Sequence, residues 1–287
     1  MKNAMRMIKK VFMSMAIMLC VFSSNVIMAE AATTYKDAEP NDSATEAQFI
    51  SRNAMTATNK VSTSMGSTYR YVQGTLSGDD EDWYRVNLCS NDENYFTITG
   101  GTGRMYIQIL DSANNEIAFI SYFNSNTSEH VFRIDVPEND MYYVRIYHSL
   151  SSTNSSYRFL IGEPEYVLDS YTHDFGSQTL VKKKEWISDE INFGEISDIP
   201  NRSIVYKIAL SGCTTSVSSK RCFKNEFYDS WVATRTGYTY NLAPTEDAAR
   251  ANQEWQFKYV SSATANKTIT PKVTLQYVYP KLPANEQ

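Results

Sequence analysis

The sequence predicts an all-β protein, two β-sandwich domains in tandem behind a cleaved export signal. Three observations lead there: apolar residues recur at every second position in short runs, the runs are separated by Gly/Asn/Asp/Ser turn chemistry, and the pattern breaks at Glu163-Pro164-Glu165 and then restarts. Alternation with period two sends successive side chains to opposite faces of a strand. Each run therefore has one face to bury, and many short runs of this kind pack as antiparallel sheets laid face to face. The expected boundaries are 1–31 for the signal, 32–162 for the first sandwich and 163–287 for the second.

At the N-terminus Lys2, Arg6, Lys9 and Lys10 precede a mostly apolar stretch from Val11 to Met28, and Ala29-Glu30-Ala31 supplies an A-x-A cleavage site. This is the order of a secretory signal. Ser23, Ser24 and Asn25 interrupt the apolar stretch and leave it short for a membrane span, so cleavage near Ala31 is expected, with no stable membrane insertion afterwards. Removing the segment takes away four basic residues and Glu30 and moves the formal charge from −5 to −8. An acidic chain of this kind is a poor partner for nucleic acid. The acidity lies in the first half: residues 32–162 carry nine Lys/Arg against sixteen Asp/Glu, whereas 163–287 are nearly balanced.

From Ala32 to Thr68 the chain is polar, small-residued and weakly periodic, which reads as a segment that wraps the domain rather than as core. The alternating runs follow. They are Tyr84/Val86/Leu88, Phe96/Ile98, Met105/Ile107/Ile109, Phe132/Ile134/Val136, Tyr142/Val144/Ile146 and Tyr157/Phe159/Ile161, with hairpin turns at Gly100-Gly101-Thr102-Gly103 and Asp111 to Asn115. In the second half Ile204/Tyr206/Ile208/Leu210, Trp255/Phe257/Tyr259 and Val273/Leu275/Tyr277/Tyr279 alternate, and Pro244 to Gln253 reads as one short helix. Cys213 and Cys222 lie at hairpin spacing and are the candidate disulfide of an exported protein, with two free thiols as the alternative; Cys89 is expected to be unpaired.

Two stretches carry the most specific information. Glu39-Pro40-Asn41-Asp42 and Gly78-Asp79-Asp80-Glu81-Asp82-Trp83-Tyr84 are clusters of hard oxygen ligands beside chain reversals. A run such as Asp79 to Asp82 repels itself unless a cation offsets the charge, although acidic residues also collect in solvated turns for backbone reasons. These stretches, with Gly74, the glycine turn, the Tyr142 to Ile146 strand and Ser156-Tyr157-Arg158-Phe159, come in an order that resembles the bacterial pre-peptidase C-terminal domain from about Tyr35 to Gly162. The collagen-binding modules of clostridial collagenases are related to that family. The resemblance implies a jelly-roll-like sandwich with calcium held between the two acidic stretches. Carried over position by position, the ligands would be Glu39, Asn41, Asp42, Asp80 and Asp82, with Asp37 as an addition. Such domains usually follow a secreted peptidase, whereas here the matching stretch comes directly after the signal.

Catalytic constellations are thin. The histidines are His130, His148 and His173, without an H-E-x-x-H pair, and there is no G-x-S-x-G elbow. His148 reads as a solvated loop residue and Cys89 as a small residue ending a strand, so the chain is expected to be non-enzymatic. On the strand from Tyr142 to Tyr147 the inward set Tyr142, Val144 and Ile146 forces Tyr143, Arg145 and Tyr147 outward together, a sticky stripe of the kind found at binding surfaces. Cross-strand packing is the alternative role for that stripe. The expectation is a secreted, calcium-stabilised binding or adhesion protein attaching to an extracellular polymer or protein such as collagen, a glycan or the cell wall. The second reading is an accessory, chaperone or inhibitor protein for a separately encoded secreted peptidase.

Overall fold

Ten strands form the first sandwich: β1 (Thr33–Lys36), β2 (Gln48–Phe49), β3 (Arg70–Leu76), β4 (Glu81–Leu88), β5 (Asn94–Gly100), β6 (Arg104–Leu110), β7 (Glu116–Phe123), β8 (His130–Ile134), β9 (Asp140–His148) and β10 (Ser155–Gly162). The computed structural model describes residues 33–62, 69–123, 128–148, 154–245 and 249–286, so the expected export signal lies outside the described residues. One sheet has the order β1-β3-β10-β5-β8 and the other β2-β4-β9-β6-β7. Without the edge strands β1 and β2, which pair parallel to β3 and β4, the rest is the jelly-roll arrangement of two interleaved four-stranded sheets. The alternating residues do what their period requires. Tyr84, Val86, Phe96, Ile98, Ile107, Ile109, Val144, Ile146 and Phe159 are all buried between the sheets. Each such side chain contributes about 1.5–3 kcal/mol of hydrophobic stabilisation.

The second sandwich contains β11 (Tyr166–Asp174), β12 (Gln178–Leu180), β13 (Glu185–Ile187), β14 (Ile204–Ser211), β15 (Ser218–Asn225), β16 (Val232–Ala233), β17 (Thr239–Asn241), β18 (Trp255–Ser261), β19 (Lys267–Ile269) and β20 (Lys272–Pro280). Its sheets are β11-β20-β14-β17 and β13-β18-β15-β16, with β12-β19 as a small third ladder. Phe223, Trp255, Phe257, Tyr259, Val273, Leu275 and Tyr277 fill its core. A register shift between Val205 and Lys207 interrupts the expected alternation of β14: Ile204 and Val205 are both buried and Tyr206 is only half-buried. A bulge of this kind re-aims the residues on either side of it. The helix expected over 244–253 is absent among the described residues, where Arg250 bridges to Ile204 and Ala251-Asn252 form a turn.

The disulfide expectation is corrected. Cys213 and Cys222 are both free thiols, as is Cys89. The reason is a matter of faces. Arg221 points inward, donating to the carbonyls of Leu210 and Cys213, and Cys213 packs against the core on that side. Cys222, the next residue along β15, points from the opposite face and pairs across the ladder with Lys258. Hairpin spacing along the chain does not bring two thiols to one side of a sheet.

The segment expected only to wrap also joins the two halves. The helix α1 (Ala57–Ser62) lies on β11 and β20, and Met55 and Ala57 are buried in the second core. Tyr69 donates to the carbonyl of Tyr166 at 2.8 Å and accepts from its N–H at 2.9 Å. Asn53 bridges to Gly162, where φ is +119° and an added Cβ would lie 2.5 Å from the Asn53 carbonyl oxygen, so no side chain fits. Tyr69, Tyr71 and Leu160, on the outer face of the β1-β3-β10-β5-β8 sheet, all pack against the second core. Among the described residues, no side chain of the second core packs on the outer face of the other sheet.

Candidate calcium site and outward aromatic face

The two acidic stretches meet at one end of the first sandwich. Asp37, Glu39 and Asp82 place one carboxylate oxygen each within 4.8 Å of one another, and so do Glu39, Asp42 and Asp80. The backbone holds them there: the N–H of Trp83 donates to the carbonyl of Asn41 at 2.9 Å, tying the start of β4 to the first stretch. Asp82 and Asn41 are completely buried, and the Oδ1 of each has no hydrogen-bond partner. Their other polar atoms are engaged. Asn41 Nδ2 donates to Asp37 Oδ1 at 2.7 Å, and the Tyr157 hydroxyl donates to Asp82 Oδ2 at 2.5 Å. Tyr84 donates to Asp37 Oδ1 at 2.8 Å and lies 2.6 Å from the Tyr157 hydroxyl.

Gly74 makes this close packing of tyrosines possible, since a Cβ there would lie 2.4 Å from the Tyr157 hydroxyl oxygen. Burial pushes the Asp82 carboxyl up to about 8, with the charges of Asp37, Asp80 and Glu39 adding to the effect against the hydrogen bond from Tyr157. Glu39 is also raised, first by burial. Orphaned oxygens on two fully buried groups, beside further carboxylates, are donors of the kind that a hard dication with several oxygen ligands could take. The residues expected from the sequence all lie in this cluster. Asp79 belongs to neither carboxylate group and Glu81 faces away.

Glu81 and Trp83 flank Asp82 on β4 and project from the opposite face of the sheet, which is the face that carries Tyr143, Arg145 and Tyr147 on β9. Arg145 is clamped there: Nε donates to Glu81 Oε2 at 2.8 Å, Nη2 pairs with Glu81 Oε1, and Nη1 donates to Gln108 Oε1 at 2.8 Å. Its guanidinium lies 4.4 Å from the centre of the Tyr147 ring and 5.5 Å from that of Trp83. The hydrogen bond from Arg145 holds the Glu81 carboxyl below the usual carboxylate range. Rings continue outward across the strands. Trp83 meets Tyr143 edge-on at 6.3 Å, Tyr147 meets Tyr106 at 5.3 Å, and Tyr106 stacks on Phe119 at 5.7 Å.

Reading β9 alone located Tyr143, Arg145 and Tyr147 but missed Trp83, Tyr106, Phe119 and Glu81. The same period-two rule places each of those on an outward position of its own strand; their adjacency depends on the β4-β9-β6-β7 register. His148 is also not the solvated loop residue expected. It is the last residue of β9, and both of its ring nitrogens are buried without a partner.

Residues 80–148 match the family model of the bacterial pre-peptidase C-terminal domain. The first sandwich carries that domain. The match takes in Asp80, Asp82 and the aromatic strands, while Asp37 to Asp42 lie before it. Among solved structures, a presumed secreted protein from Eubacterium rectale is similar over 82% of this chain and 80% of its own, with a TM-score of 0.53 and 14% identity, which is a likeness of fold across both sandwiches. The pre-peptidase C-terminal domain of Bacillus anthracis collagenase aligns over 40% of this chain and 93% of its own, with 20% identity and a TM-score of 0.28. No curated protein matches the sequence.

Proposed function

We propose that this is an exported, non-catalytic binding protein whose pre-peptidase C-terminal domain is held by calcium and attaches to an extracellular polymer or protein through the outward aromatic face. The observation that carries this reading is the stretch Glu81-Asp82-Trp83. It presents the buried acidic cluster on one side of β4 and the aromatic face on the other. Calcium bound by Asp37, Glu39, Asn41, Asp42, Asp80 and Asp82 would neutralise a cluster that otherwise repels itself, and would hold the start of β4 to the Glu39–Asp42 turn. The face is the one the second sandwich leaves open, and flat, ring-rich surfaces suit long ligands better than small ones, which prefer concave pockets.

Export rests on the order of residues 1–31, and the fold shared with a presumed secreted protein is consistent with it. No helix among the described residues is long and apolar enough to cross a membrane. Intact-mass measurement of secreted protein should give an N-terminus near Ala32; a membrane-bound chain retaining Met1 would contradict export.

The binding reading is tested by retention of purified protein on insoluble collagen, cell wall and polysaccharide. Tyr143→Ala with Tyr147→Ala should weaken retention on the cognate material at least tenfold. The melting temperature should move little, since aromatic pairs of this kind contribute about 0.5–1.5 kcal/mol each. A double variant that unfolds outright would make these rings packing residues only. Hydrolysis of a peptide or glycan by purified protein, lost on replacing Cys89 or His148, would refute the non-catalytic assignment.

A further inference from the structure

The aromatic face has a chemical character that narrows its ligand, and the inference drawn from it rests on the binding reading above. Phe119, Tyr106, Tyr147, Trp83 and Tyr143 form two contacting groups of rings on four adjacent strands, linked through the guanidinium of Arg145. That guanidinium lies against the rings and is already neutralised: each of its nitrogens is engaged, two by Glu81 and the third by Gln108. Gln108 in turn donates to Glu116 at 2.8 Å, so its amide is committed at both ends. The groups left for a ligand are the ring faces, the hydroxyls of Tyr106, Tyr143 and Tyr147 and, at the Tyr143 end, the exposed Arg85 opposite it on β4. Phe119, at 49% exposed, is the most open ring of the row.

We infer that this face takes a neutral polysaccharide, with Trp83, Tyr106, Tyr143, Tyr147 and Phe119 as the stacking surface and Arg145 as a positioning residue that orients Trp83 and Tyr147. The π face of an aromatic ring is negative. A sugar ring turns a face of weakly positive C–H groups toward such a surface and its hydroxyls toward phenolic oxygens, which matches what the face offers. A polyanion would need cations along the row of rings, where Arg145 is spent on Glu81, and Arg85 stands only at the Tyr143 end. A polyproline-type peptide docks in grooves between aromatic ridges, whereas this is the outer face of a sheet, with its rings in a row across the strands.

The experiment measures retention of the calcium-loaded full-length protein on cellulose, chitin and xylan, on fibrillar collagen, and on heparin-agarose, at low and at high salt. Retention on at least one of the three neutral polysaccharides is expected, unchanged by salt. It should fall at least tenfold in Phe119→Ser, an exposed site that leaves the fold intact, and in Trp83→Ala. Arg145→Lys keeps the charge but loses the two-pronged pairing with Glu81, so it should lower retention as well, although a charge-recognising residue would tolerate it. Binding to collagen alone, lost on replacing Tyr143 and Tyr147, would overturn this inference and leave the broader binding reading standing. Salt-sensitive binding to heparin alone would overturn it too, as would retention on none of these materials, in which case the cell-wall assay decides the broader binding reading.

Discussion

Adding calcium to chelator-treated protein, at a hundredfold over its dissociation constant, is expected to stabilise the folded state by about 2.7 kcal/mol. Asp82→Asn should remove that gain. The expectation follows from the buried, unpartnered oxygens of Asp82 and Asn41, which a cation would satisfy. The pH dependence sharpens it. In the metal-free protein the Asp82 carboxyl titrates near 8 rather than at its ordinary 3.8, because burial disfavours the charged form and nearby carboxylates add to that. Between those two values the folded state keeps a proton that the unfolded chain releases. Stability therefore falls as pH rises through that window, by up to about 1.4 kcal/mol per pH unit, and the full contribution is present only at the acidic end.

Asp82→Asn cannot ionise and should flatten that slope. At pH 7 the variant should be more stable than the wild type in chelator and less stable in calcium. Thermal melts of both proteins in both conditions are enough to see the order invert. A wild-type melting temperature indifferent to calcium and to chelator would show that the cluster holds no calcium.

Met55→Ala should cost about 2–5 kcal/mol, a large effect for a residue in a stretch with no strand or helix periodicity of its own. Met55 is fully buried, and it lies in the core of the second sandwich although β2 before it and β3 after it belong to the first. Truncation leaves a cavity that the surrounding β-sheet, fixed by its own ladder, can only partly close. Denaturant titration followed by fluorescence would report the change, and the free energy should fall without loss of the native spectrum. A cost below about 1 kcal/mol would show that Met55 contributes little to the packing of one sandwich on the other.

Period two was legible because it is a property of each strand taken alone. Tyr142, Val144 and Ile146 must face one way and Tyr143, Arg145 and Tyr147 the other whatever the strand pairs with. The sequence by itself therefore determined the all-β class, the inward sets of the strands with clear alternation, such as β4, β6, β9, β10 and β18, and the outward stripe of β9. It also held both halves of the acidic cluster, since hard oxygen ligands beside chain reversals are local chemistry. Only the tertiary structure decided the rest. Trp83, Tyr106 and Phe119 join the stripe through a register set by contacts summed over whole sheets. Glu81 leaves the acidic run for Arg145 because it stands one residue from Asp82 and so on the other face. Cys213 and Cys222 fail to pair for the same reason of faces, and Met55 is core because the second sandwich packs against the outside of the first. Each of these depends on which surfaces far apart in the chain are brought together, and no spacing within one segment records that.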